Sequence, residues 1–387
     1  MSRVSSFSIV AALLLSLSAV AAPTQVPAPA QAPAAAMHHA LALEQQGNYA
    51  QAADLLQSLT HTTPRDAQAW AHLGLDRALG GNYAEAVPAY RKALALVPNL
   101  PGLQIDLGLA LFNQAHFQEA IPALLAAAAE APADNRPKLL LGMSYYGTAQ
   151  YPRAIPYLRL AVVASPGNLG IQTALAQSCL WAAQYPCALE QYKDILQENP
   201  DSAQAYMIAG EALDGQNDTV GAIAQFRAGE KAAPNTPELH FGLGYQLSKS
   251  NQLDEAEREF QLELALDPNH VQALTYLADM ALKKGDQPTA QAYLSRAVAH
   301  GEGVALTYLD LGILDAAANR NPEAEADLKR SIALAPDQID AHWRLSRLSQ
   351  LMGNKAQADA ELSKVRQLHA SKDEVLAHKL GPTAQQP

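Results

Sequence analysis

Residues 67–100 read AQAWAHLGLDRALGGNYAEAVPAYRKALALVPNL, two amphipathic segments that meet at Gly80-Gly81-Asn82 and finish near Pro98. Counting in steps of 34 residues from Ala86 reaches alanine nine more times: Ala52, Ala120, Ala154, Ala188, Ala222, Ala256, Ala290, Ala324 and Ala358. One phase without an insertion defines ten units: 33–66, 67–100, 101–134, 135–168, 169–202, 203–236, 237–270, 271–304, 305–338 and 339–372. Numbered from one within a unit, positions 4, 7, 8 and 11 recur at i, i+3, i+4, i+7, and positions 20, 24 and 27 at i, i+4, i+7. Each set is the buried stripe of one helix. In the second unit the stripes are Trp70, Leu73, Gly74 and Arg77, then Ala86, Tyr90 and Ala93.

Position 8 is small throughout: Ala40, Gly74, Gly108, Gly142, Ala176, Gly210, Gly244, Ala278, Gly312 and Ser346. Facing the repeated alanine, it lets two helix axes approach while larger residues at positions 7, 17 and 24 fill the gaps. Proline stands at position 32 in eight units, from Pro64 to Pro336, where each second helix must stop; Glu302 and Ala370 are the exceptions.

The spacing of Trp70, Leu73, Gly74, Tyr83, Ala86, Tyr90 and Pro98 resembles the W-x2-L-G-x2-Y…A-x3-F…P pattern of the tetratricopeptide repeat (TPR) family, and the resemblance covers residues 33–372. It implies an all-α fold, an α-solenoid superhelix of about ten helix-turn-helix units with a concave surface lined mainly by first helices. Residues 371–380 are expected to form a C-terminal capping helix over the last apolar face, and 381–387 a disordered tail.

Residues 1–21 carry Arg3, an apolar run over 9–20 and the small-residue site Ala19-Val20-Ala21, the features of a secretory signal peptide. Residues 22–32 alternate Ala, Pro and Gln as an extended linker. An exported protein follows, periplasmic or secreted, with no membrane insertion after signal cleavage. The formal charge of −11 without a basic stripe argues against nucleic acid as a partner.

Motifs that carry chemistry are missing. There is no phosphate-binding G-x-x-x-x-G-K-[ST], Gly242-Leu243-Gly244 belongs to the repeat, and Gly142-Met143-Ser144-Tyr145-Tyr146 fails a nucleophile elbow at its last residue. No H-E-x-x-H occurs, and the adjacent His38 and His39 point about 100° apart on a helix. The sequence therefore predicts no enzyme, no cofactor and no metal. Asn217-Asp218-Thr219 matches a glycosylation acceptor but falls in the inter-helix turn. Cys179 and Cys187 occupy positions 11 and 19, on opposite arms of the fifth hairpin. Export permits a disulfide between them. Position 19, however, is Glu85, Glu119 and Glu255 elsewhere, hence outward, which favours two free thiols. Both readings stand on sequence alone.

Positions 5, 9 and 12 make a second stripe about 100° from the core stripe, the one that meets ligand peptides in the TPR family. It holds Ile105, Leu109 and Phe112, then Leu139, Met143 and Tyr146; Trp181 follows at position 13 of the fifth unit, and Met207, Phe241 and Tyr245 continue the stripe. The lysine and asparagine set with which chaperone-binding TPR domains clamp a C-terminal carboxylate is absent. Two readings of these residues stand. They form a protein-binding groove for an apolar or aromatic segment, or they are buried by inter-repeat packing or a superhelical turn. On the first, the chain is a non-enzymatic scaffold or adaptor for a peptide or helix of an envelope partner. The alternative is a recognition subunit of a separate envelope enzyme complex, for polysaccharide synthesis or export or cell-wall remodelling.

Overall fold

A computed structural model describes residues 31–301 and 303–379, so the signal peptide, nearly all of the linker and the 381–387 tail lie outside the described residues. Among the described residues there are twenty helices and no strand. The chain divides after residue 182 into two compact units. In the first, α1 (Gln31–Gln45) pairs with α2 (Tyr49–Thr62), and α3 (Ala67–Leu79) with α4 (Tyr83–Leu96). Then α5 (Leu103–Asn113) pairs with α6 (Phe117–Glu130), α7 (Arg136–Gly147) with α8 (Tyr151–Ala164), and α9 (Leu169–Trp181) packs on α8.

In the second unit α10 (Tyr185–Glu198) packs on α11 (Ala203–Gly215), which pairs with α12 (Thr219–Ala232). Hairpins α13 (Leu239–Lys249) with α14 (Leu253–Leu266) and α15 (Val271–Lys283) with α16 (Gln287–His300) follow. The last are α17 (Ala305–Ala317) with α18 (Asn321–Leu334) and α19 (Ile339–Leu351) with α20 (Lys355–Lys379). Helix α20 runs unbroken into the segment read as a separate cap, so the cap is an extension of the last repeat's second helix. Helices α3, α5, α7 and α9 also touch in succession, as do α15, α17 and α19. First helices therefore share a face within each unit.

Close approach at one point sets the hairpin. All ten position-20 alanines are at most 1% exposed. The glycine at position 8 lies beneath the side chain at position 24, rather than against the alanine as the pattern alone suggests. A Cβ built on Gly74 would stand 2.5 Å from the Tyr90 ring, on Gly108 2.5 Å from Leu124, and on Gly210 2.5 Å from Phe226. One large side chain per hairpin fills the space that the two small residues leave.

The turns are equally uniform. Position 15 has positive φ in every repeat, from 55° at Ala183 to 82° at Gly285. The next residue returns its N–H to the position-11 carbonyl, as Asn82 does to Arg77 (2.7 Å) and His116 to Leu111 (3.0 Å). This is a Schellman closure, which needs one left-handed residue. Glycine, or asparagine as at Asn217, supplies it in seven repeats, whereas Ala115, Ala149 and Ala183 hold a conformation that disfavours a Cβ.

At the other end of eight hairpins the position-32 proline has no N–H, and its carbonyl needs a donor. In six repeats position 4 of the following unit supplies one, with differing residues, whereas at Pro268, where position 4 is Leu274, Arg296 donates instead. Trp70 Nε1 donates to the Pro64 carbonyl (3.1 Å), Lys138 Nζ to Pro132 (2.6 Å), Gln172 Nε2 to Pro166 (2.6 Å) and the Tyr206 hydroxyl to Pro200 (3.2 Å). Helix starts vary in the same manner. Asp66, Asn168 and Ser202 cap α3, α9 and α11 with their own side chains. Before α13, Glu238 is left-handed instead, and the buried Glu263 carboxylate accepts the N–H groups of Glu238 (2.9 Å) and Phe241 (3.1 Å). A glutamate at a core-stripe position is thus the N-terminal anion of its partner helix.

Substituting Gly210→Ala should lower the urea midpoint by an amount equivalent to about 1–3 kcal/mol, because the Phe226 ring must move. Ala149→Gly should raise it by about 0.5–1 kcal/mol, the left-handed penalty less the entropy glycine adds to the unfolded chain.

Candidate protein-binding face

In the first unit Ile105, Leu109 and Phe112 on α5, and Leu139, Met143 and Tyr146 on α7, are all half-buried. Their neighbours supply the cover. Phe112 meets Phe117 edge-on with ring centroids 5.1 Å apart. Leu139 lines a cleft of about 140 Å³ between the start of α7 and the end of α8, together with Asn135, Arg136, Lys138 and Leu160. Tyr146 stacks on Trp181 (6.2 Å, 17° between planes) and donates its hydroxyl proton to Gln177 Oε1. Tyr151 closes the trio, 4.7 Å from Trp181 and 6.3 Å from Tyr146. Trp181 keeps half its surface exposed.

The register explains why the indole stands out. Position 17 of one repeat lies against position 13 of the next: a Cβ on Gly147 would be 2.6 Å from the Phe117 ring. The fifth repeat has tryptophan at position 13 where the fourth has glycine, so Tyr151 meets a second ring in place of a bare backbone. Phe117 and Tyr151 thus belong to the patch although the 5, 9, 12 stripe omits them, whereas Gln177, at position 9 of the fifth repeat, lies on that stripe. The available signal was the aromatic run at position 17: Tyr83, Phe117, Tyr151 and Tyr185.

The second unit treats the same stripe differently. Met207 on α11 and Phe241 on α13 pack against the core cluster that contains Leu243, Phe260 and Leu277. Phe241 lies 5.8 Å from Phe260, 4.9 Å from His270 and 6.0 Å from Tyr276, and Tyr245 meets Tyr276 at 5.7 Å. Packing within the seventh repeat and against Tyr276 of the eighth engages these rings. Further along, Trp343 is 44% exposed, with the Arg344 and Arg347 guanidinium carbons 6.0 and 5.6 Å from its ring.

Both Cys179 and Cys187 are disulfide-bonded, and the free-thiol reading fails. Its premise, an outward position 19, does not hold in the fifth repeat: Cys187 is as well buried as a core residue.

Two first-helix carboxyls are almost wholly enclosed. Asp76 on α3 and Asp310 on α17 are each 1% exposed, and neither oxygen of Asp76 has a hydrogen-bond partner. Burial pushes the Asp76 carboxyl up to about 8, reinforced by the charge of Glu44. Burial likewise raises Asp310 to about 8, with Asp279 adding to the shift. A neutral carboxylic acid loses far less on desolvation than a carboxylate. These groups therefore keep their protons well above the usual carboxylate range.

A family model described as tetratricopeptide repeat matches residues 38–101, 105–168, 173–237 and 241–305, together more than half of the chain. Among solved structures, the chain is similar to a tetratricopeptide repeat protein from Parabacteroides merdae, with 17% identity over 73% of this chain and 98% of that one and a TM-score of 0.41. It is also similar to the C-terminal part of a TPR repeat-containing protein from Cytophaga hutchinsonii (18% identity, 62% and 99% coverage, TM-score 0.47). A third similarity is to the APC/C hetero-tetramer Cut9–Hcn1 (13% identity, 89% and 90% coverage, TM-score 0.47). No curated protein matches the chain.

The buried carboxyls impose a pH dependence of definite sign. A carboxyl pKa raised on folding means that the folded state binds the extra proton between about pH 4 and pH 8, so stability falls as pH rises through that window. Melting temperature measured from pH 5 to pH 8 should decline in the wild type. The double variant Asp76→Asn, Asp310→Asn should show a flatter profile, and an identical slope in both would refute the assignment.

Proposed function

The chain belongs to the tetratricopeptide repeat family, and from that premise we propose that it is a non-enzymatic scaffold that binds a segment of another protein on the first-helix face of repeats three to five. The family is one of repeat scaffolds that mediate protein–protein interactions. The particular surface is argued from Trp181. A half-exposed indole, stacked on Tyr146 and flanked by Tyr151, is a rigid apolar anchor. Contiguous exposed apolar surface marks interaction sites, and tryptophan and tyrosine dominate their energetics.

The segment that fits is apolar or aromatic, extended or helical, and docks along α5, α7 and α9 past Ile105, Leu109, Phe112 and Met143. Gln177, already accepting from Tyr146, offers its amide N–H groups to a backbone carbonyl of the guest. Export places the partner in the cell envelope. The basis for that is the signal-peptide pattern of residues 1–21. No described helix is long and apolar enough to cross a membrane.

The test is capture of envelope proteins by the mature chain, with wild type and a Tyr146→Ala, Trp181→Ala variant compared by cross-linking and pull-down. Loss of two anchors should weaken the identified interaction by about 30-fold or more, since one hot-spot residue is worth roughly 2 kcal/mol. Far-UV circular dichroism should stay unchanged. Equal capture by both proteins would remove this face from consideration.

A further inference from the structure

We propose that Glu230, His240 and Glu259 form a three-donor site for a divalent transition metal, zinc by ligand type. The residues come from three successive helices, Glu230 from α12, His240 from α13 and Glu259 from α14. His240 Nδ1 is 2.8 Å from Glu259 Oε2 and 3.8 Å from Glu230 Oε1. One ligand atom from each residue lies within 4.8 Å of the other two. The His240 and Glu259 side chains are 7% and 12% exposed, and that of Glu230 31%. The site therefore has two fixed donors and one that can adjust. The other ring nitrogen, Nε2, is 3.3 Å from the Pro234 carbonyl. A histidine that ligates metal through one nitrogen commonly donates its other N–H to such a carbonyl, which orients the ring.

The chain contains its own control. His342 in the tenth repeat occupies the same position 4, with Nδ1 2.5 Å from Glu361 and Nε2 3.0 Å from the Pro336 carbonyl. Glu361 corresponds to Glu259. The residue corresponding to Glu230 is Ile332. A histidine–glutamate pair with a proline carbonyl therefore completes this hairpin, and the second carboxylate is surplus to that task. Beside His240 it leaves two carboxylates sharing one imidazole, while the nearby Arg227 is engaged by Glu255 at 2.5 Å. Two carboxylates and an imidazole suit zinc, with a fourth position for water. The metal takes the Nδ1 lone pair, so binding to the imidazolium form releases that proton to solvent. Glu230 belongs to repeat six and the other two donors to repeat seven, so the ion would clamp adjacent repeats.

The experiment uses the full mature chain stripped with a chelator and titrated with zinc by calorimetry. Cobalt(II) serves as a spectroscopic probe of the same site. Wild type should bind one equivalent that is lost, or weakened at least about tenfold, in Glu230→Ile and in Glu230→Gln. His342→Gln should retain it. Zinc should also raise the melting temperature of wild type and not that of the Glu230 variants. Glu230→Ile copies Ile332, the ninth-repeat residue at the corresponding place beside His342, so its metal-free fold should be intact, and Glu230→Gln keeps a polar group there. No zinc uptake by wild type beyond that of the Glu230 variants, or an unchanged cobalt spectrum between them, would overturn the proposal.

Discussion

The side chain at position 24 resting on a residue with little or no Cβ at position 8 is the contact from which the rest follows. With Gly108 beneath Leu124, or Gly210 beneath Phe226, two helix axes come close enough for one branched or aromatic side chain to fill the space between them. The separation is then too short for any connection but a tight one. The position-15 residue adopts positive φ in all ten repeats, alanines included. Tertiary packing imposes the turn, and Ala115 and Ala149 accept the strain because the hairpins they close, α5 with α6 and α7 with α8, are well filled. A hairpin built in this way buries one face and offers the other to its neighbours, which is why repeats accumulate in series.

Once that contact is satisfied, other positions vary at little cost, and the variations carry the individuality of the chain. Position 4 donates to a proline carbonyl in six repeats, from tryptophan, lysine, glutamine, tyrosine or histidine, and where it is Leu274 an arginine of the next helix takes over. Where histidine is the choice, its second nitrogen is left to find an acceptor, and Glu259 or Glu361 answers it. A contact made in six of the repeats thus brings with it a buried imidazole–carboxylate pair, and one further difference, Glu230 where Ile332 stands beside His342, sets the two pairs apart. Trp181 is a second such departure: at position 13, where the fourth repeat has Gly147, it meets the Tyr151 ring of the preceding repeat. Function in such an array lies in local departures from a fixed packing scheme.

The pattern of apolar residues exposed the architecture almost completely, because a buried stripe has a period and ten copies of it reinforce one another. The candidate site was legible only in part. Tyr146, Gln177 and Trp181 follow from their positions in the repeat, yet Tyr151, which flanks the two rings, sits at position 17, off the stripe. Phe241 and Tyr245 carry the same sequence signature as the first-unit aromatics and are instead drawn against Phe260, His270 and Tyr276. Nothing in the stripe itself separates the two outcomes, since Phe260 and His270 lie elsewhere in the same repeat and Tyr276 comes from the next one.

Sequence alone determined that the chain is helical, that its helices pair, and where each pair turns and stops. These follow from periodicity, small residues and prolines, which act within some thirty residues. Tertiary structure decided which exposed-looking side chains are covered, that Cys187 is buried and disulfide-bonded, and that Glu230 meets a histidine ten residues away and a glutamate nineteen beyond that one. Such facts depend on distances between side chains of different helices. They are set by the close approach that a glycine permits and by the size of the neighbour that fills the gap.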